Sequence, residues 1–568
     1  MSLPRLRRTA VAILAATLFL AACSTTEPSP SRVRPAAPPP PVAAAAEAAV
    51  IAQREQAADA RRQAERVLTA QAYTKTAAPV AEAFYAPPPP ADRENYAAPA
   101  QSPVRLAAEQ PVSTFSIDVD TGSYSNTRRI LDEGRLPPED AVRVEEFINY
   151  FDYGDAPAAT TDLPFAVHAE LAPTPWNAKT RLLRVALKGY RPNGPLPPSN
   201  LVFLVDVSGS MESPDKLPLV KSSLKLLARQ LTARDRISLV TYASGTQLVL
   251  EPTPGDQTAA IEQAIDRLQA GGGTAGAAGI TLAYQQAEKA FIKGGNNRVL
   301  LATDGDFNVG ITRFESLLDL VRDKRRTGIA LTTLGFGTGN YNDHLMEQAA
   351  DAGDGNYSYI DSLREAQKVL VAQRAATLLT IARDVKVQVE FNPAVVREYR
   401  LIGYENRALA REDFNNDQVD AGDIGAGHGV TALYEIALAG EGGERIEALR
   451  YGAPAATHAG TQGEVAFVRL RYKRPDETRS RLIEQPVRLA DARASLAAAS
   501  PALRLSAAVA AFGERLRGGR YLEGYGYAQI VDLARGAATA DAGGDLGDFL
   551  QNVALADSLS ARTPAGRD

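Results

Sequence analysis

The period of the apolar positions changes along the chain, and the change divides it. From Asn200 to about residue 380, short runs that are apolar at every position alternate with segments whose apolar residues recur every three or four positions. The first run, Leu201-Val-Phe-Leu-Val205, ends on Asp206. A run with no polar alternation suits a strand covered on both faces, as at the centre of a parallel sheet. Helical periodicity follows at 217–231, a strand pattern at 237–242 and a hairpin partner at 246–250. Helical patterns at 258–268 and 279–291 then lead into a strand at 299–303. The segments 313–326 and 343–352 read as helices, each leading into a strand, at 330–335 and 357–360. This alternation predicts an α/β fold, a doubly wound and mostly parallel sheet with helices on both faces.

The flanks read differently. Residues 165–171 and 181–187 alternate apolar and polar positions as half-buried strands do, and so do 385–391, 396–403, 430–437, 465–472 and 484–489. Polar, glycine-rich turns separate the later strands, which predicts an antiparallel sandwich. The two strands preceding residue 197 are expected to join it, so that the α/β domain is inserted between parts of a β-sandwich. Residues 113–125 read as a strand running into a turn, and 126–133 and 142–150 as helices. The segment from Ala492 onward is rich in Ala and Leu and predicts helices broken at Pro501 and at Gly518-Gly519. The expected organisation is a signal segment at 1–22, an Ala/Pro-rich tether at 23–111 with a helix at 43–73, and an N-terminal flanking region at 112–196. The α/β domain at 197–380, the sandwich at 381–490 and a helical region at 491–568 follow.

A length of 568 residues leaves room for roughly three globular units, and at a net charge of -5 nothing is basic enough to suggest a nucleic-acid binder. The first residues carry more information. Arg5, Arg7 and Arg8 precede an apolar run, residues 9–20, too short to span a bilayer, which predicts a signal peptide. It closes on Leu20-Ala21-Ala22-Cys23, which resembles the bacterial lipobox. The resemblance implies cleavage before Cys23 and acylation of that residue, with chains such as palmitate holding the protein on a membrane. Cys23 is the sole cysteine, so no internal disulfide forms. By the same resemblance Ser24 implies sorting to the outer membrane, so the expected location is the bacterial cell envelope, facing the periplasm.

The residues with chemical promise stand at the carboxyl ends of the predicted strands, where open α/β sheets bind ligands. They are Asp206, Ser208 and Ser210 after the first strand, Thr274 in Gly271-Gly-Gly-Thr-Ala-Gly276, and Asp304 in Thr303-Asp304-Gly305. All five are hard oxygen donors, which suit Mg²⁺, Ca²⁺ or Mn²⁺ and not zinc or copper. The Asp-x-Ser-x-Ser turn alone is more often a helix cap than a metal site. Together with Thr274 and Asp304 in this order, it resembles the metal-ion-dependent adhesion site (MIDAS) of von Willebrand factor type A (VWA) domains. The resemblance implies that Ser208, Ser210 and Thr274 ligate a divalent cation, Mg²⁺ first, while Asp206 and Asp304 hold it directly or through waters. It also implies an open position for an acidic side chain of a protein partner. With Phe115-Ser-Ile-Asp-Val-Asp-Thr-Gly-Ser-Tyr124 and the segment from Asp420 to Glu435, the chain resembles bacterial VWA lipoproteins with dedicated flanking domains.

Other signals are weaker. Asp413-Phe-Asn415-Asn-Asp417 begins like a calcium loop, but Gln418 stands where glycine is needed and Ile424 where an acid belongs. His168, His344, His428 and His458 are scattered, and only His428, between glycines, invites a mutation. Asp118 and Asp120 read as turn or cap residues. No histidine near Ser208 supports a hydrolase. The expectation is a lipid-anchored binding protein and not an enzyme; the alternative is an envelope scaffold whose metal only stabilises the fold.

Overall fold

The structure, a computed structural model, describes residues 94–96, 100–159, 162–192, 194–274, 276–305, 314–447, 463–537 and 544–562. Cys23, the signal segment and the helix expected at 43–73 lie outside the described residues.

Ordered chain reaches further back than the hydrophobic pattern indicates. Residues 94–96 and β1 (Arg105–Leu106) are held by long-range pairing, Asn95 with Asn342 and β1 with Tyr399 and Glu398, which leaves no periodic trace in sequence. β2 (Val112–Ser116) runs into α1 (Gly122–Asp132), which starts earlier than predicted, and α2 (Val144–Asn149) follows. β3 (Phe165–Pro173) and β4 (Arg181–Gly189) pair antiparallel.

The α/β domain comes next: β5 (Ser199–Asp206), α3 (Leu217–Ala228), β6 (Arg236–Tyr242), β7 (Thr246–Pro254), α4 (Thr258–Asp266) and α5 (Gly276–Lys289). It continues with β8 (Asn296–Thr303), α6 (Phe314–Arg326), β9 (Ile329–Gly335), α7 (Asp343–Ala352) and β10 (Tyr357–Tyr359). The sheet order is β10-β9-β8-β5-β6-β7, and every neighbouring pair is parallel except β6 with β7. β5 is central and buried throughout. Leu201, Phe203 and Val205 pack with Val220 and Leu224 of α3 and Ile261 and Ile265 of α4. Val202 and Leu204 face the other way, onto Ile280 and Tyr284 of α5 and Leu317 and Val321 of α6. Each such side chain is worth about 1.5–3 kcal/mol when fully buried, which is why β5 is apolar from Leu201 to Val205.

The domain closes with α8 (Leu363–Gln367), a π-helical turn (Lys368–Ala372) and α9 (Arg374–Leu378). The wide turn carries Lys368, whose ammonium donates to Tyr150 O and Asp545 at 3.0 Å and lies 3.2 Å from the centroid of the Tyr150 ring. A π turn of this kind marks an interrupted helical ladder.

The remaining strands are β11 (Thr380–Phe391), β12 (Val396–Ile402), β13 (Ile424–Gly425), β14 (Gly429–Leu438), β15 (Glu464–Lys473) and β16 (Arg481–Arg488). One sheet has the order β1-β12-β14-β4-β3; in the other, β13-β11-β15-β16, β2 also pairs with β11. Val185, Leu187 and Tyr434 of the first meet Val387, Val389 and Leu470 of the second in one core. The chain thus leaves the sandwich at β4 and re-enters it at β11, and the α/β domain is inserted between, as the pattern predicts. The helices α10 (Pro501–Leu516), α11 (Tyr527–Arg535) and α12 (Asp545–Ser560) do not stand alone. They build a core with α1 and α2, in which Phe147 meets Phe512 at 6.0 Å and Phe151 meets Phe549 at 5.6 Å between ring centroids. Among the described residues no helix is long and apolar enough to cross a membrane.

Candidate metal centre

Parallel pairing decides the geometry of the site. β5 and β8 lie side by side with Val205 opposite Ala302, so Asp206 and Thr303 leave the sheet at the same level. The Thr303 hydroxyl donates to Asp206 Oδ2 at 2.9 Å, and the backbone N–H of Ser208 donates to Asp206 Oδ1 at 2.8 Å. With both oxygens held, Asp206 fixes the turn that follows. In that turn the Ser208 and Ser210 hydroxyls stand 3.0 Å apart, Ser208 buried and Ser210 exposed.

The glycine-rich loop before α5 is laced to the same turn. Gly271 N–H donates to Val207 O at 2.8 Å, and Gly209 N–H donates to Gly272 O at 3.0 Å. Gly273 N–H donates to the Ser244 hydroxyl at 2.7 Å. Gly272 has φ +81°, and a Cβ there would lie 2.5 Å from Ser244 Oγ, so this close approach requires glycine. Thr274 follows directly, 7% exposed. Behind the loop, α5 rests on β6 through Gly279, where a Cβ would come within 2.8 Å of the Tyr242 side chain.

Asp304, fully buried at the end of β8, completes the group. Its Oδ2 accepts from Lys216 Nζ at 3.0 Å and from Asn340 Nδ2 at 3.1 Å, while Lys216 also donates to Asn340 Oδ1 at 2.8 Å. Neither Lys216 nor Asn340 shows in the motif, because each belongs to a different loop and no spacing links them to Asp304. Burial pushes the Asp206 carboxyl up to about 6; the Ser208 N–H opposes this rise and the negative Asp304 adds to it. The buried Tyr242 phenol is pushed well above its ordinary value, with Asp206 contributing.

Among the described residues no group of three or more His, Cys, Asp or Glu is arranged to hold a metal. A cation here would rest on two carboxylates and three hydroxyls. The hydroxyl pair at 3.0 Å and two buried carboxylates that repel each other fit a hard divalent ion, which uses oxygen donors only. The five sequence-predicted residues therefore belong to three loops that meet at the carboxyl edge of one parallel sheet.

The other residues singled out in sequence serve structure. The Asp118 and Asp120 carboxylates accept from Arg407 at 3.3 and 3.1 Å, and Asp120 also accepts Tyr357 N–H at 2.7 Å. Around the calcium-like segment, Lys386 donates to the carbonyls of Asp413 and Asn416, and Arg471 donates to Asp417 at 3.0 Å, so side-chain cations already hold these oxygens. His428 has a buried ring nitrogen, and burial with Lys188 nearby pushes the imidazole down to about 4. His458 lies outside the described residues.

Comparison with known proteins agrees with this architecture. Residues 90–184 match the family model "von Willebrand factor", residues 200–372 the model "von Willebrand factor type A domain", and residues 376–559 the model "Uncharacterized protein YfbK, C-terminal". The uncharacterized protein YfbK of Escherichia coli (strain K12) is 49% identical over 468 residues, covering 81% of this chain and 80% of that protein. The uncharacterized protein sll0103 of Synechocystis sp. is 36% identical over 173 residues, or 30% of this chain and 39% of that protein. Among solved structures, a von Willebrand factor type A protein from Catenulispora acidiphila is 16% identical, covers 71% of this chain and 91% of that one, and has a TM-score of 0.40. The α/β insertion is thus a VWA domain framed by partner segments, and the chain belongs to the YfbK family of bacterial VWA-domain proteins.

Proposed function

We propose that the protein captures an acidic side chain of another envelope protein through a divalent cation, Mg²⁺ first, at Asp206, Ser208, Ser210, Thr274 and Asp304. In this reading Cys23 is lipidated, anchors the chain at the outer membrane facing the periplasm, and the protein binds without catalysing a reaction. The observation that carries it is the lacing of the turn bearing Ser208 and Ser210 to the loop bearing Thr274, through Gly209 N–H to Gly272 O at 3.0 Å, beside the buried Asp206 and Asp304. VWA domains commonly bind a divalent metal.

The chain's own residues divide the work. Asp206 spends both oxygens on the turn and the neighbouring strand, so it orients Ser208 and Ser210. Ser210, exposed, borders the solvent side from which a partner would approach. Asp304 supplies the second negative charge and is steadied by Asn340. The cation, when bound, supplies an electrophilic position for a carboxylate oxygen of the partner.

The test pairs capture with stability. In the full chain, Ser210→Ala, at an exposed position, is expected to abolish Mg²⁺-dependent, EDTA-sensitive cross-linking to envelope partners while the melting temperature stays near that of the metal-free wild type. Loss of the fold together with loss of capture would favour the scaffold reading, in which the metal only stabilises the protein.

A further inference from the structure

The cation nearest the candidate centre belongs to the protein. Lys216 is 5% exposed, and its ammonium sits 3.0 Å from Oδ2 of the Asp304 carboxylate. Its stem reaches that point across Gly337, where the backbone has φ +76° and a Cβ would lie 2.2 Å from Lys216 Cγ and 2.3 Å from Cε. Any larger residue at 337 would block the path, so the loop leaves a channel for this side chain. An ammonium is buried only where it is paired, and the pairing here is with Asp304 and Asn340.

We propose that Lys216 is an internal competitor for the divalent cation at Asp304, keeping the affinity for the ion alone low until a partner carboxylate adds its charge. The inference rests on the metal reading above. A unit positive charge and a divalent ion crowded around one carboxylate repel each other strongly where water is scarce. The ion therefore enters against Lys216, or Lys216 swings away and loses its buried partners. A carboxylate arriving from a partner offsets the excess positive charge, so ion and partner bind better together than either does alone, and the coupling is reciprocal. Asn340 Nδ2 still donates to Asp304 when Lys216 is replaced, so the carboxylate keeps a positioning contact.

A positioning role for Lys216 predicts the opposite sign, which makes the test decisive. The full chain is titrated calorimetrically with MgCl₂ and no partner, comparing wild type with Lys216→Met, Lys216→Gln and Lys216→Arg. Competition predicts that both uncharged variants bind Mg²⁺ roughly tenfold tighter or more, and that the arginine variant stays near wild type. Should Lys216→Met unfold in a melting scan, Lys216→Gln, which can still hydrogen-bond Asp304, gives the result. Equal or weaker Mg²⁺ binding by the folded uncharged variants overturns the competitor role and leaves the metal reading standing. Absence of Mg²⁺ binding in wild type and uncharged variants alike overturns both.

Discussion

The Oε1 of Glu94 accepts the backbone N–H of Gly339 at 2.9 Å, across 245 residues of sequence. The other carboxylate oxygen, Oε2, accepts from Arg129 at 2.8 Å, and Asn95 exchanges backbone hydrogen bonds with Tyr341 and Asp343. The segment that leads out of the Ala/Pro-rich tether is thus fastened to the loop whose Asn340 grips Asp304. Glu94→Ala removes a buried acceptor from Gly339 N–H, Arg129 and the Tyr96 hydroxyl and should lower unfolding free energy by about 1–3 kcal/mol, read by urea denaturation. Glu94→Gln, whose amide oxygen still accepts, should fall between.

A second buried carboxyl group lies among like charges. Glu145, 1% exposed, has its carboxyl pushed up to about 8 by burial, with Glu405 and Asp118 adding to the rise. Among the described residues Glu145 Oε2 and Asp118 Oδ2 have no hydrogen-bond partner. Because the folded state holds this proton more tightly than an unfolded glutamate near 4.5, its contribution is complete below about 4.5 and is lost as pH rises through about 8. Melting scans from pH 5 to 9 should show stability declining. Glu145→Gln, neutral throughout, should flatten that slope and be the more stable protein at pH 9, by on the order of a few kcal/mol.

Arg407 of the segment after β12 pairs with Asp118, Asp120 and Glu347 at 3.3, 3.1 and 3.3 Å, joining the N-terminal segment, the VWA helix α7 and the sandwich. Arg407→Ala leaves these carboxylates buried without their cation. A loss of about 3–5 kcal/mol is expected, with an early transition in calorimetry as the VWA domain melts apart from its frame.

Ser210 separates binding from folding, since it is exposed and sits 3.0 Å from the Ser208 hydroxyl. Mg²⁺ at a hundred times its dissociation constant should stabilise the wild type by about 2.7 kcal/mol, and EDTA should remove the gain. Ser210→Ala should melt within about 0.5 kcal/mol of metal-free wild type and gain little from Mg²⁺. An equal gain in both proteins would remove Ser210 from the site.

Much of the fold is legible in the sequence. The unbroken apolar run of β5 implies burial on both faces, and Leu201 and Val202 do point into different cores. Asp206, Ser208, Ser210 and Asp304 are legible because each ends or follows a strand of the sheet, whereas Thr274, in the loop between α4 and α5, is legible through the resemblance to the VWA metal site. Lys216 and Asn340 are not, since a contact between loops 88 or 124 residues apart has no local period. The π turn at Lys368–Ala372 was hidden for a related reason: its residues suit an α-helix, and the interruption coincides with Lys368 reaching Tyr150 and Asp545.

Local hydrophobic period marks most of the strands and helices, because side chains i+2 or i+3/i+4 apart share a face whatever the rest of the chain does. Asp206, Ser208, Ser210, Thr274 and Asp304 stand out through their resemblance to the VWA metal site, not through that period. Folding in three dimensions settled which charges share a site. The ammonium of Lys216 meets Asp304 only because Gly337 clears its path, and α1 and α2 join α10–α12 only because each leaves an apolar face that its own neighbours in sequence cannot cover. Electrostatic pairing and core packing act between surfaces brought together from distant segments, so their outcome rests on the whole assembled chain and not on any single stretch of it.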